Sequence, residues 1–267
     1  MSDVRFLVLA TGSKGNCAWV STPHSNLLID CGIGIRALDA ALRQHGSSMH
    51  EIDAVLVTHC HSDHIQGLGT LLKHVPARVY AHQRAAAGLT VQLRRAMELH
   101  DKRATYRDFS LSTFDMSNGF YHRDVDVLPV AVSHDCDPTV MYKLHTDGRW
   151  LGVLTDLGTT TPELIATFRE CDALLLEANH CPQLLAEGPY PPVLKRRIRG
   201  DLGHLSNQQA AEFATGLERL PRHLLLGHMS DTNNTPRSAS DAFTRVETGR
   251  IPHTVIPQQT CGPLLEL

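Results

Sequence analysis

Five short apolar runs along this chain close on polar side chains of the kind that bind metals or line clefts: AVLVTH stops at His59, VLPVAVSHD at His134, WLGVLTD at Asp156, ALLLEANH at Asn179 and His180, and HLLLGH at His228. Runs of this length, rich in Val, Leu and Ile and bounded by turn residues, read as strands buried in a sheet. Their C-terminal ends then fall along one rim, where open α/β sheets place their sites. The chain must therefore build a sheet that delivers several histidines and acids to one edge.

The strand pattern covers residues 4–10, 27–30, 54–58, 79–81, 125–132, 150–155, 173–177, 224–227 and, more weakly, 254–257. Helical patterns alternate with it at 34–44, 64–74, 83–98, 162–170 and 207–217, the last opening after Ser206, a residue type that caps free helix amides. Interleaved helices and strands imply an α/β domain with both sheet faces covered. No linker, fixed-period repeat or composition break divides the sequence, so residues 1–267 are expected to form one domain. The stretch 186–199, with Pro189, Pro191 and Pro192 ahead of four basic residues, reads as a long surface loop.

Charge and cysteine usage narrow the setting. A formal net charge of −3 denies the chain a globally basic surface, so a nucleic-acid partner would have to be held by a local patch. The seven cysteines are scattered without a C-x-x-C pair, which argues against a disulfide framework and for a reducing, cytoplasmic setting. The opening MSDVRFLVLA is short for a signal segment, and no later stretch approaches the roughly 20 apolar residues of a membrane span. Neither export nor a membrane is expected.

Histidine is abundant, at seventeen copies, and its densest cluster is His59-Cys60-His61-Ser62-Asp63-His64. His59 and His61, two apart in extended backbone, can turn to the same side. Asp63 and His64 follow where the chain enters a helix and can face a second point nearby. A lone strand-end histidine is usually a packed or surface residue, and His134, His180 or His228 taken singly fits that reading. No packing requirement asks for three histidines and an aspartate in six residues, so metal binding is the expected role. The set suggests two divalent ions of the Zn, Mn or Fe type. His59, His61 and His134 are assigned to the first, Asp63, His64 and His228 to the second, and Asp156 to both. Two ions held roughly 3.5–4 Å apart activate a nucleophile and stabilise the attacking and leaving oxygens.

Other segments suggest how an anionic substrate is held. GSKGNC at 12–17 follows the first strand, and Ser13, Gly15 and Asn16 offer backbone amides for an anion, although a plain Gly-rich hairpin has the same composition. Lys195, Arg196, Arg197 and Arg199 form a basic cluster just before Gly200-Asp201-Leu202-Gly203-His204-Leu205-Ser206. A phosphate at the start of the following helix would meet its free amides, Ser206 and His204. His204, Asp63 and Asp156 form the candidate catalytic set, with His204 steadying the phosphate or protonating the leaving oxygen. Asn179 and His180 are placed in the cleft or behind the ligands.

Taken together, GSKGNC, THCHSDH, VSHD, LTDLG, EANH, KRRIRGDLGHLSN and LGHMSDTNN resemble, in order from residue 6 to 234, the YycJ/WalJ family of bacterial metallo-β-lactamase-fold nucleases. The resemblance implies a four-layer αββα sandwich with a dinuclear site at one edge of its two sheets. It further implies a metal-dependent 5′ to 3′ DNA exonuclease acting at DNA ends, with a link to mismatch repair. The chain lacks the length for a β-CASP insertion, so DNA must be gripped by core loops, by the basic segment or by a second subunit in a homodimer. Cys60 departs from the acidic residue expected at that position in many relatives; it adds a soft ligand or oxidation-sensitive thiol, with a packed, unliganded cysteine the expected state. The alternatives are a thioesterase or lactamase using the same metals, a ribonuclease of the same fold, and a scaffold that has lost chemistry. The first is disfavoured by the basic cluster and the last by the intact ligand set.

Overall fold

Phe6 and Val8 face one side of the first strand, Leu7 and Leu9 the other, and all four are buried. A strand covered on both faces needs no polar alternation, which is why such segments read as continuous apolar runs. The computed structural model describes residues 3–100, 109–244 and 251–267. Within them, β1 (Arg5–Ala10), β2 (Cys17–Ser21), β3 (Asn26–Ile29), β4 (Ala54–Leu56), β5 (Arg78–His82) and β6 (Leu111–Phe114) build one sheet. The second sheet contains β7 (Phe120–His122), β8 (Val125–Ala131), β9 (Val140–Thr146), β10 (Arg149–Leu154), β11 (Ala173–Glu177), β12 (His223–Gly227) and β13 (Thr254–Val255), while β14 (Leu265–Glu266) returns to pair with β1. Each sheet is mixed, antiparallel on one side and parallel through β3–β6 and β10–β13 on the other.

The helices are α1 (Ile35–Gln44), α2 (Ser62–Ile65), α3 (Leu68–His74), α4 (Ala86–His100), α5 (Pro162–Phe168), α6 (Pro182–Glu187), α7 (Pro192–Arg199), α8 (Asn207–Thr215) and α9 (Pro236–Thr244). One apolar cluster fills the space between the sheets, with Phe6, Leu56, Tyr142 and Leu175 among its members. A second joins Trp19 and Leu28 to Leu38 of α1, Leu71 of α3 and Leu93 of α4, and a third joins Leu154 and Leu174 to Phe168, Phe213 and Phe243. Each fully buried side chain of this kind contributes about 1.5–3 kcal/mol. The result is the expected four-layer αββα sandwich. The parallel strands β10, β11 and β12 all release their chains at one rim, so Asp156, Asn179 and His228 emerge side by side.

Several expectations are corrected. The helix read over 64–74 is two, because the Gly67 amide donates to the Cys31 carbonyl and the Asp63 carbonyl accepts from the Asn16 amide instead of continuing the helix ladder. The stretch 186–199 is not an extended surface loop: it finishes α6 and forms α7. Pro192 can open that helix because the first-turn amide it lacks has no intrahelical partner. Strand β9 was hidden by Lys143 and His145, whose polar ends pack on the Trp150 indole, with Lys143 Nζ 4.1 Å from the ring centre and the His145 ring stacked at 4.3 Å. Among the described residues no helix is long and apolar enough to cross a membrane.

Candidate metal centre

After β4 the chain stays extended through His59 and turns into α2 with His61 at its N-cap position. The two rings converge, His59 Nε2 lying 3.0 Å from His61 Nδ1, and the His134 ring centre lies 5.2 Å from each. The ligand atoms of His59, His61 and His134 all lie within 4.8 Å of one another, as do those of Asp63, His64 and His228. Asp156 stands between the two sets. Its Oδ2 is 3.1 Å from His64 Nε2, and its Oδ1 is 3.3 Å from His228 Nε2 and 3.7 Å from His134 Nε2. Asp156 and His228 each have φ of 53°, a strained conformation for residues with a Cβ, of the kind found where a site dictates side-chain direction.

Groups behind these rings determine which nitrogen faces inward. His64 Nδ1 donates to Asp30 Oδ2 at 2.7 Å, and Asp30 also accepts from the Thr58 amide and hydroxyl. His228 Nδ1 donates to Glu177 Oε1 at 2.7 Å, and His134 Nδ1 to the Gly203 carbonyl at 3.2 Å. Each turns Nε2 inward, toward where a cation would bind, although His64 Nε2 is there also met by the Asn16 side-chain amide at 2.9 Å. Asp30 and Glu177 were not singled out in the sequence, although each ends an apolar run and is buried. Glu177 is fully enclosed; its Oε1 also takes His204 Nδ1 at 2.9 Å, and its Oε2 accepts from the Leu205 amide at 2.9 Å. Asp135 is a further unanticipated neighbour, with Oδ1 3.5 Å from His61 Nε2 and 3.3 Å from His134 Nε2.

Electrostatics divide the rings: burial opposes the charge on His64, yet Asp156 and Asp30 hold it well above the ordinary imidazole range. Burial drives His59 well below the ordinary imidazole range, and it also lowers His134, so both rings keep a lone pair. Burial alone would raise Asp156, but His228 and His64 outweigh it and hold the carboxyl well below its usual range. Burial likewise opposes the charge on Glu177, yet His204 and His228 bring it down to about 2. His204 is the counterpart: burial would lower it, but Glu177 lifts it to about 9.

Asp156 Oδ2 and His228 Nε2 are buried and make no hydrogen bond. Two buried groups that have only charged neighbours and no hydrogen bond are costly in a protein interior unless a cation satisfies them. The donors are imidazole nitrogens and carboxylate oxygens, the set that borderline divalent ions prefer. The residues therefore fit one or two such ions.

A cleft of about 270 Å³ opens over this cluster. Of the three residues expected to cradle an anion in the 12–17 segment, Ser13 lines it. The Gly15 amide is used within its own turn, on the Gly12 carbonyl, and the Asn16 amide goes to the Asp63 carbonyl. Asn16 instead turns its side-chain amide toward His64 Nε2 at 2.9 Å. Arg197, Asn179 and His204 line the cleft. Lys195 points away, donating to the Ala186 carbonyl, and Arg196 is exposed outside it. Ser206 caps α8 through a reciprocal pair with Gln209, so its hydroxyl and the helix N-terminus are already engaged and offer no phosphate seat. His180 is buried beneath the rim, paired through its backbone with Ser206 and pushed by burial to about 4. The Cys60 thiol packs against the outer apolar cluster, and burial raises it to about 11, which makes it a poor soft ligand.

Residues 25–229 match the family model of the beta-lactamase superfamily domain. The chain is 33% identical over 245 residues to Exodeoxyribonuclease YycJ of Bacillus anthracis, a match that covers 91% of this chain and 89% of that protein. It is 32% identical over 237 residues to Exodeoxyribonuclease WalJ of Streptococcus pneumoniae, covering 88% of this chain and 85% of the relative. Among solved structures, the metallo-beta-lactamase fold protein YhfI from Bacillus subtilis superposes with a TM-score of 0.70 over 97% of this chain and 99% of that one, at 15% identity. That likeness is one of fold.

Proposed function

The chain belongs to the YycJ/WalJ family of the metallo-β-lactamase superfamily and is a metal-dependent hydrolase, and on that premise we propose that it is a dinuclear phosphodiesterase that digests DNA from an end in the 5′ to 3′ direction. The observation that carries the reading is the meeting of two donor sets at Asp156, inside a cleft that also holds Arg197 and His204. His59, His61 and His134 would hold one divalent ion, Asp63, His64 and His228 the other, and Asp156 both. When bound, the ions supply a nucleophile activated at neutral pH and compensate charge on the phosphoryl group.

The chain's own groups complete the chemistry. His204, fixed by Glu177 through Nδ1, presents Nε2 to the cleft, where it donates to a phosphoryl oxygen and then yields its proton to the leaving oxygen. The Asp63 carboxylate, less buried than its neighbours, accepts the proton released by the attacking water. Arg197, at the mouth on α7 and paired with Asp135, turns the rest of its guanidinium to the backbone phosphate next to the scissile one.

Metal analysis coupled to digestion of DNA and RNA labelled at either end tests this directly. The expected result is metal-dependent release of mononucleotides from the 5′ end of DNA; intact DNA and RNA in the presence of bound metal would remove the phosphodiesterase assignment. His204→Ala is expected to keep the metal content while turnover falls roughly 10²–10³-fold. Unchanged turnover would take His204 out of the mechanism.

A further inference from the structure

Helix α7 carries Leu194 and Ile198 one turn apart on one face, and neither belongs to any of the three apolar clusters. No residue of the helix is buried. Both side chains, with Tyr190 just ahead of the helix, line the cleft that also contains Asp156 and His204. This amphipathic helix turns its half-buried apolar face to the cleft, outside the three apolar clusters. The arrangement is nevertheless firmly held. Arg197 Nε donates to Asp135 Oδ2 at 2.6 Å, and the Tyr190 hydroxyl donates to Thr232 Oγ1 at 3.2 Å. At the base of the α6–α7 connection Gly188 packs so closely that a Cβ would lie 2.4 Å from Asn233 Oδ1.

One wall of the cleft thus suits an anion and the other a flat apolar group, and a space of about 270 Å³ is on the scale of one nucleotide rather than a duplex. We propose that Tyr190, Leu194 and Ile198 form the seat for the base of the terminal nucleotide, whose phosphate lies toward Asp156 and His204. The proposal rests on the phosphodiesterase reading above and specifies how that site selects its substrate. Every base has an apolar face, so such a seat requires a base without requiring a particular one. It also favours ends, because a terminal base gives up one stacking neighbour to enter and an internal base gives up two.

The test uses the metal-loaded protein and two single-stranded DNA oligonucleotides that differ only in the 5′-terminal residue, normal in one and abasic in the other. For the wild type, KM is expected to be about five- to tenfold higher for the abasic end, with a smaller change in kcat. In the double variant Leu194→Ser with Ile198→Ser the ratio of the two KM values should fall to about two, Tyr190 keeping what remains. Val193→Ala, on the same helix but with its side chain 70% exposed, should keep the wild-type ratio. Melting temperature and metal content show that the double variant is folded and loaded, and Leu194→Met should restore discrimination. Equal KM values in the wild type, or a wild-type ratio in a folded, loaded double variant, overturn the seat. Failure of the wild type to cut either oligonucleotide instead overturns the phosphodiesterase reading, and is recognised by the loss of all turnover.

Discussion

Asp156→Asn is expected to yield a folded protein that retains little metal and turns over end-labelled DNA at least about 10³-fold more slowly. Asparagine preserves the shape of the side chain but removes the charge that faces His64, His228 and His134 at 3.1, 3.3 and 3.7 Å. Without it, two cations would have to sit together among the imidazoles with Asp63 and the more distant Asp135 as the carboxylates left to offset them. The metal-free protein should also be less stable at neutral pH. The Asp156 carboxyl is held well below its usual range, so its contribution is present above the unfolded carboxyl pKa and lost only as pH falls through the depressed value. Breaking such a buried charge cluster costs about 3 kcal/mol, which for a chain of this size lowers the melting temperature by several degrees. Metal content by mass spectrometry and initial rates over a metal titration are the measurements. A variant with wild-type metal content and turnover within tenfold of wild type would sink the bridging assignment.

The groups most legible in the sequence were those announced by a change of character at the end of a strand. His59, His134, Asp156 and His228 each close an apolar run, so the strand reading alone collected them on one rim, and His61 was added by the density of histidines after His59. Glu177 and Asp30 end apolar runs in the same way but lie behind the site, and nothing in one sequence separates a residue that faces the cleft from one that holds its neighbour. The signal available was that a carboxylate ending a fully buried strand must be paired. Backbone direction was the second blind spot. GSKGN and the start of α8 both have the composition of an anion site, but their amides are satisfied inside the chain by the Gly12 carbonyl, the Asp63 carbonyl and the Ser206–Gln209 cap. Those long-range choices follow from packing that local composition does not encode. The stretch 186–199 failed for another reason. Its prolines signal a break at residues 189–192, and the helix that follows is short and mostly basic, with Leu194 and Ile198 making sense only against a cleft.

Glu177→Gln should cost more than the loss of one hydrogen bond, because a single carboxylate holds His204 and His228 through Nδ1 and accepts the Leu205 amide as well. Glutamine fills the same space but has one acceptor where two are needed. Whichever way the amide is turned, its NH₂ meets another donor in a fully buried site, a conflict worth about 2–4 kcal/mol. Metal affinity is expected to fall roughly 10–100-fold as His228 loses its fixed tautomer. At saturating metal, kcat should still fall about 10²-fold with a smaller change in KM, because His204 acts on the reacting phosphate rather than on the rest of the chain. The pH profile separates this from general loosening of the fold. Glu177 lifts His204 to about 9, so the protonated ring should serve catalysis up to that pH, and its pairing should stabilise the fold fully below the ordinary imidazole pKa of about 6.5. Both effects fade as pH rises through about 9. Without the carboxylate, burial acts unopposed by its strongest partner, so the alkaline limb of kcat should move down toward neutrality. Glu177→Asp, which keeps the charge on a shorter arm, should recover part of the rate and most of the limb. An alkaline limb that stays in place in Glu177→Gln, despite a fall in kcat, would show that His204 does not depend on Glu177 for its proton.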